Sequence, residues 1–275
     1  MVCSLQRSGT TAFLTALNQH PDVETIGGVI KRPLKNGGAK PDYSVYDAEF
    51  DSPYTVVRSN FGRETVQQCT FSPFRDDDDI HRTRPLFLIK DPVQVWNSWA
   101  RQGWNQFEHF KIAYQHLLDL YAQVREVSDR VRCVAQEFLG TVPQIIFPQI
   151  LENWGIPYDS RVVYWEDESK VGAYSLNGDF AKTTDQIRRD EARNLHETLQ
   201  TGPPTYRTVI RRPENSLQIE IADLMDLYFR YSAIMLETTD RYIVDGGPSD
   251  LGRQLELLRI MDEARRKHLA VLRGE

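Results

Sequence analysis

The segment Ser4–Thr11, Ser-Leu-Gln-Arg-Ser-Gly-Thr-Thr, joins a short apolar run to a stretch with helical periodicity. Gly9 lets the backbone turn so that successive N–H groups face one point, and the N-terminus of the following helix adds its partial positive charge there. Arg7 brings a fork of donors matched to oxyanions, and the hydroxyls of Thr10 and Thr11 can add further donors. This order of strand, loop and helix predicts a phosphate-binding loop.

The loop lacks the pattern with which ATP- and GTP-binding chains hold their phosphates. That pattern is Gly-x4-Gly-Lys-Ser/Thr, whereas Ser4 stands at the first glycine position and Thr10 at the lysine position. For the motif taken alone, a Ser/Thr-capped helix with a solvent-facing Arg7 is the simpler alternative. A kinase-like phosphotransferase with a degenerate loop would also need ligands for Mg²⁺, and the sequence shows no cluster of that kind.

The rest of the first half of the chain alternates between strands and helices. The apolar runs Val2–Leu5, Leu86–Ile89 and Val131–Ala135 suit buried parallel strands. Between and after them, helical periodicity covers four segments, Thr11–Asn18, Val93–Arg101, Gln106–Ser128 and Pro143–Trp154. This alternation predicts an α/β fold, a three-layer sandwich with a central, mostly parallel sheet.

Other parts of the chain are less regular. The region Lys31–Arg84 holds many turn formers, and we expect loops and small elements laid over the sheet edge. Arg161–Tyr164 is a further candidate strand, and helices are predicted over Pro213–Leu236 and Leu251–Leu272. With no repeat and no clear linker, we expect a single domain over 1–275, with a core over about 1–157 and a more helical part over 158–275.

Charge and cysteine usage exclude several classes of protein. The formal net charge is −6, from 33 Lys and Arg against 39 Asp and Glu, so the surface as a whole repels nucleic acid and anionic lipid. No apolar run approaches the roughly 20 residues that cross a bilayer, and the first residues lack the layout of a signal peptide. The three cysteines, Cys3, Cys69 and Cys133, have no paired spacing. We expect a cytoplasmic protein without a disulfide framework, bound metal, nucleic-acid partner or membrane partner. The oligomeric state stays open.

A second motif follows the run Leu86–Ile89. Lys90 and the turn-forming pair Asp91-Pro92 come directly after that predicted strand, and Ser98 lies eight residues after Lys90 on the next predicted helix. Taken alone, a strand-end lysine is most simply an exposed residue at the sheet edge.

Together these segments resemble a known family. Arg7-Ser8-Gly9-Thr10-Thr11 resembles the 5′-phosphosulfate loop of sulfotransferases that use 3′-phosphoadenosine 5′-phosphosulfate (PAPS). The stretch Leu17–Val23, which ends in His-Pro-Asp-Val, is similar to the tyrosylprotein, carbohydrate and bacterial branches. Lys90 and Ser98 match the Arg and Ser that bind the 3′-phosphate in this family, with Lys in place of Arg. Weaker matches at Val131–Leu139 and Leu151–Pro157 extend the resemblance to about residue 157. Gln6 stands where the family often has proline.

The resemblance implies a P-loop sulfotransferase fold and an enzyme that moves a sulfuryl group from PAPS to a hydroxyl or nitrogen of a small-molecule acceptor. The product of PAPS would be 3′,5′-bisphosphoadenosine (PAP). Arg7 would stabilise charge on the leaving phosphate. The residues implied to bind the nucleotide are Arg7, Ser8, Gly9, Thr10, Thr11, Lys90 and Ser98. A non-catalytic nucleotide-binding protein on the same fold remains an alternative, because Gly27 and Gly28 stand where the tyrosylprotein branch has its catalytic glutamate.

The general base and the acceptor are less constrained. Glu24 is the nearest carboxylate to the missing glutamate, and His81 and His109 are the alternative bases because histidine titrates near neutral pH. The run Arg75–Asp79, which holds four aspartates, is either a solvated turn or an acidic rim that attracts a cationic acceptor.

Overall fold

The core of the fold is a five-stranded, entirely parallel sheet, seen in a computed structural model that describes residues 1–141, 143–164, 224, 226, 227 and 229–235. Its strands follow the order β2-β3-β1-β4-β5, and each pairs with its neighbours in parallel. Their bounds are β1 Val2–Leu5, β2 Val23–Gly27, β3 Tyr54–Phe61, β4 Leu86–Ile89 and β5 Arg132–Ala135. The chain is therefore of the α/β class, as its sequence predicts.

Helices flank the sheet. Their bounds are α1 Thr10–Asn18, α2 Arg32–Lys35, α3 Val66–Thr70, α4 Asp77–Thr83, α5 Pro92–Arg101, α6 Phe107–Val127, α7 Gln136–Thr141 and α8 Pro143–Trp154. The connection from β1 through α1 runs toward one side of the sheet and that from β4 through α5 and α6 toward the other. Because such crossovers are right-handed, α1 and α6 cover opposite faces. This gives the three layers.

Both faces of the central strands are buried. Phe13 of α1 stacks on Phe147 of α8 with ring centroids 5.5 Å apart, and Trp154 contacts the ring of Phe13 edge-on. On the other face α6 packs across β1 and β3. Strands that are covered on both faces appear in the sequence as continuous apolar runs. The bounds predicted for β1 and β4 are therefore confirmed.

Two expectations about the less regular regions are wrong. The region Lys31–Arg84 does not lie over the sheet edge as loops, because it contains β3, which lies inside the sheet between β2 and β1. Ser160–Val162 is one turn of 3₁₀ helix rather than part of a strand over Arg161–Tyr164, since Asp159 caps the turn by accepting from Arg161 N at 2.9 Å. The predicted helix over Leu251–Leu272 lies outside the described residues, whereas 224, 226, 227 and 229–235 are helical.

The register defines two edges of the sheet. Leu5 pairs with Phe61, and Ile89 pairs with Ala135, so these residues mark the carboxyl edge, where the parallel strands end. The amino edge is the opposite one, where the strands begin. Ligands of open α/β sheets bind at the carboxyl edge. Within the described parts of the chain, no helix is both long and apolar enough to cross a bilayer.

Candidate functional site

The loop between β1 and α1 holds a strained backbone at the carboxyl edge. Gly9 has φ 80° and Arg7 has φ 74°, both in the left-handed region. A residue with a side chain pays roughly 1–2 kcal/mol there, and strain of this kind is concentrated in ligand-binding loops. The turn is closed by Ser8 N, which donates to Leu5 O at 3.3 Å. The loop therefore has the strand-to-helix shape that its sequence predicts.

Gly9 is also required by a close neighbour. A Cβ on Gly9 would lie 2.6 Å from Cδ of Gln136, the first residue after β5. Gln136 is only 3% exposed, and its carboxamide packs directly against the loop. Any other residue at position 9 would displace this carboxamide from the loop.

The hydroxyls of the loop differ in what they can offer a ligand. Ser4 Oγ donates to Asn60 Oδ1 at 2.7 Å, so the 2.7 Å contact between Ser4 and Thr10 requires Thr10 Oγ1 to be the donor. The Thr10 hydroxyl therefore donates within the loop in this structure, and its role as a ligand donor stays a prediction. Thr11 is half-buried. Ser8 is 1% exposed, and its Oγ has no partner among the described residues.

Arg7 connects the loop to the second motif. Its Nε donates to Ser98 Oγ at 3.1 Å. Arg101 lies one helical turn after Ser98 on α5, and its positive charge lowers the pKa of Arg7 further, after the larger effect of burial. Residues from α5 and from the loop after β1 thus form one group of hydrogen-bond donors at the carboxyl edge.

Lys90 belongs to the same group. Tyr114 donates to Lys90 O at 2.6 Å, and Asp91 caps α5 by accepting from Val93 N at 2.6 Å. Burial lowers the pKa of Lys90, the negative charges of Glu137 and Asp91 oppose that shift, and the charges of Arg101 and Arg7 add to it.

The carboxylate of Glu137 supports this arrangement from α7, the helix that follows β5. Its Oε1 accepts from Asp91 N at 3.1 Å and its Oε2 from the Tyr231 hydroxyl at 2.7 Å. The strand-end turn that carries Lys90 is therefore anchored to α7 and to the helical residues near 231. Three cations, Arg7, Lys90 and Arg101, crowd one site, and a bound oxyanion would relieve their mutual repulsion.

A second group of side chains surrounds two successive carbonyls that follow β3. Lys31 donates from Nζ to Gly62 O, and His109 Nδ1 lies 3.2 Å from Arg63 O. Lys31 is 2% exposed, and burial lowers its pKa to about 7, with the positive charge of the nearby Lys35 contributing next.

The contact with Arg63 O determines the tautomer of His109. A carbonyl oxygen can only accept, so Nδ1 carries the proton and Nε2 of the neutral ring carries the lone pair. His109 lies in the first turn of α6 and is half-buried. This is the tautomer that a general base acting through Nε2 requires.

The two groups adjoin one another. Gln6 N donates to Phe61 O at 3.1 Å, and the indole Nε1 of Trp99 donates to Gln6 O at 2.9 Å. The same indole fills the space beside Gly62, where a Cβ would lie 2.5 Å from Trp99 Cη2. The phosphate loop and the Gly62–Arg63 segment therefore both contact the indole of Trp99.

Glu24 does not lie at this site. It pairs with Thr55 near the start of β3, whereas the loop lies at the level of Phe61. Six residues of strand separate the two levels, which corresponds to about 20 Å at about 3.3 Å per residue. Glu24 is a residue of β2 near the amino edge and does not reach the loop.

His81 and the acidic run also lie at the amino edge. They belong to α4 and its N-cap, which precede the start of β4. Asp76 caps the helix by accepting from Asp79 N, and Asp79 is buried and binds Arg75. The run is a helix cap with an ion pair and not a rim around the site, so the reason for expecting a cationic acceptor is removed.

Three residues of the site were not predicted. Arg101 could have been found, because its spacing of three residues from Ser98 places both on one face of a helix. Gln136 and Lys31 carry no such signal, since their places follow from how β5 and β2 end. Among the described residues, no group of three His, Cys, Asp or Glu is arranged to hold a metal ion.

Comparisons with known proteins add little to this geometry. No protein-family model matches the chain, and no curated protein matches it. Among solved structures, the sulfotransferase domain of the olefin synthase from Synechococcus PCC 7002 aligns with 84% of this chain and 93% of that domain, at 14% identity and a TM-score of 0.43. Similarity at this level carries no argument about activity, which has to come from the site.

Proposed function

We propose that this protein is a sulfotransferase that transfers a sulfuryl group from PAPS to a hydroxyl or nitrogen of a small-molecule acceptor. The observation that carries the proposal is the hydrogen bond between Arg7 and Ser98, with Lys90 and Arg101 beside them. It joins the two segments whose sequences resemble the 5′-phosphosulfate and 3′-phosphate sites of that family.

The residues of the site fit a nucleotide with phosphates on both its 5′ and 3′ oxygens. The buried hydroxyl of Ser8, with no partner among the described residues, suits a ligand oxygen at the loop. Ser98 can accept from Arg7 and still donate its own proton to a phosphate. The positive charge of Lys90 would attract the 3′-phosphate, and PAPS would supply the activated sulfuryl group.

The chain's own groups can stabilise the transfer. When the sulfur–oxygen bond to the phosphate breaks, the leaving oxygen gains negative charge. Arg7, the backbone N–H groups from Ser8 to Thr11 and the N-terminus of α1 are suited to stabilise that charge. A lysine is absent from the loop, because Thr10 occupies that position and donates to Ser4, which weighs against an ATP-dependent phosphotransferase.

The acceptor must lose a proton as its new bond to sulfur forms, and His109 is the proposed base. Its Nε2 carries the lone pair, and Arg63 O holds the ring in place. Neither Glu24 nor His81 reaches this edge of the sheet. A histidine base would replace the glutamate that the tyrosylprotein branch uses.

Turnover of PAPS over a panel of phenols, alcohols and amines tests the proposal, with release of PAP and sulfation of the acceptor both measured. For any acceptor that is used, we expect Arg7→Ala to lower kcat by about 10²–10³, because it removes a donor from the leaving phosphate. Arg130→Ala, an exposed arginine at the amino edge, is the matched control and should match the parent.

The two alternatives give different outcomes. A non-catalytic nucleotide-binding protein would bind PAP but release none from PAPS with any acceptor. A phosphotransferase would turn over ATP, and EDTA would abolish that activity. Sulfation that EDTA leaves unchanged and that Arg7→Ala reduces supports the proposal.

A further inference from the structure

Four basic residues gather at the carboxyl ends of β2 and β3, away from Lys90 and Ser98. We call them the basic cluster, and its members are Arg32, Lys35, Arg58 and Arg63. Arg32 and Lys35 belong to α2, which follows β2, whereas Arg58 lies on β3 and Arg63 just beyond it. They share no sequence motif, and only the pairing of β2 with β3 brings them together.

Contacts fix the position of the cluster. The guanidinium of Arg58 lies across Gly27, where a Cβ would be 2.8 Å from its Nη2. The guanidinium of Arg63 lies over the ring of Trp104 at 5.0 Å. The buried Lys31, at the start of α2, donates a hydrogen bond to Gly62 O and so connects α2 to the segment after β3.

The members are close enough to perturb one another. Loss of hydration and the positive charges of Arg58, Arg63 and Arg32 lower the pKa of Lys35. Glu64 opposes them and pairs with Arg63 at 3.1 Å, but both side chains are exposed and a pair of that kind contributes little.

This concentration of positive charge lies on the same edge as the proposed base. The carbonyl that orients His109 belongs to Arg63, so this member of the cluster lies directly beside the proposed base. The acidic residues Asp47 and Asp79 lie at the other edge, where they pair with Arg75. Like charges held together destabilise a fold, and an anionic ligand would offset that cost.

We infer that the acceptor carries an oxyanion, a carboxylate or a phosphate, which Lys35, Arg58 and Arg63 bind while its nucleophile faces His109. This inference rests on the proposed sulfotransferase function and replaces the expectation of a cationic acceptor. Guanidinium groups suit either oxyanion, because their paired donors match two oxygens at once.

Matched phenols test the inference. With PAPS saturating, kcat/KM would be measured for 4-hydroxyphenylacetate, 4-hydroxyphenyl phosphate, the neutral 4-ethylphenol and the cationic tyramine. We expect at least one anionic phenol to exceed 4-ethylphenol by about tenfold or more, and tyramine to be the poorest. The better anion distinguishes a carboxylate site from a phosphate site.

Variants assign the preference to the cluster. The double variant Lys35→Gln/Arg63→Gln should reduce the preference for the anionic phenol to within about threefold of the neutral one. Lys40→Gln, an exposed lysine outside the cluster, is the control and should keep the full preference. Circular dichroism would confirm that each variant is folded.

Binding separates failure of the inference from failure of the proposed function. Calorimetry of 4-hydroxyphenylacetate, 4-hydroxyphenyl phosphate and 4-ethylphenol with the PAP-saturated protein needs no turnover. If PAP binds but neither anion is preferred in binding or turnover, or tyramine is the best acceptor, the inference is wrong and the nucleotide site stands. If PAP does not bind, the proposed function fails and the inference with it.

Discussion

Arg7 Nε donates a hydrogen bond to Ser98 Oγ at 3.1 Å across a separation of 91 residues. The arginine occupies a strained loop after β1, and the serine lies on α5 beyond β4. Because β1 and β4 are neighbours in a parallel sheet, their carboxyl ends bring these two side chains together. The two proposed anion sites are therefore adjacent.

Ser98→Ala should weaken PAP binding by about tenfold or more, because a hydrogen bond to a charged group contributes about 1.5–3 kcal/mol. The affinity for 5′-AMP, which lacks the 3′-phosphate, should change by less than about twofold. Calorimetric titration of both nucleotides measures this. Ser44→Ala, an exposed serine at the amino edge, should bind both as the parent does. Equal weakening of both nucleotides would argue against a 3′-phosphate role for Ser98.

His109→Gln should lower kcat by about 10²–10⁴ and leave PAP affinity unchanged, because it removes the proposed proton acceptor and not a nucleotide contact. Glu24→Gln and His81→Gln should stay within about twofold of the parent, since neither residue reaches the carboxyl edge. A large loss of kcat in Glu24→Gln would contradict this assignment.

Asp79→Asn should lower the melting temperature by roughly 3–6 °C without changing PAP binding. Burial opposes ionisation of Asp79, but hydrogen bonds from Arg75 outweigh it and lower the pKa of the carboxyl. A lowered folded-state pKa contributes stability above the ordinary pKa of 3.8, and this is lost as pH falls through the folded value. The stability difference between parent and variant should therefore shrink in acid.

The control for that variant is Asp78→Asn, since Asp78 is exposed on the same helix. Calorimetric scans at pH 7 and in acid should show no appreciable shift for it. If the two variants behave alike, Asp79 is no more important to the fold than its solvated neighbours.

Lys31→Met tests the buried ammonium. The pKa of Lys31 falls from 10.5 to about 7 on folding, so between these values the unfolded chain binds a proton that the folded protein has released. Stability of the parent should therefore rise with pH over this window, by up to about 1.4 kcal/mol per pH unit relative to Lys31→Met. Urea unfolding at pH 7, 8 and 9 measures the difference. It should be independent of pH for the exposed Lys40→Met, and a constant difference for Lys31→Met would show that Lys31 does not titrate there.

The sequence predicts the bounds of the buried strands β1 and β4, but it does not predict β3, whose second half contains polar residues. β1 and β4 are short apolar runs because both faces are covered, and a run of that kind is visible in sequence. β3 ends in Arg58-Ser59-Asn60-Phe61, so in the sequence its last residues resemble a loop. Asn60 is there to accept from Ser4, and Arg58 lies across Gly27. Because these partners lie on β1 and β2, no local pattern in the sequence of β3 indicates them.

The same reason explains which site residues could be anticipated. Arg7, Lys90 and Ser98 follow apolar strands at fixed spacings, so their proximity is readable once a parallel sheet is assumed. Glu24 could not be placed without knowing that β2 exists and that it pairs with the start of β3. Which of the four aspartates after Arg75 is buried depends on the packing of α4, to which sequence gives no guide.

The central claim, a site for a nucleotide with a 3′-phosphate and a 5′-phosphate, is tested most directly by calorimetric titration of the protein with PAP and with ATP. Lys90 and Ser98 are suited to a 3′-phosphate that ATP lacks, and the loop has no lysine for a triphosphate. We predict that PAP binds at micromolar concentration or below and that ATP binds much more weakly. Equal affinity for the two nucleotides, or binding of ATP alone, would contradict the assignment.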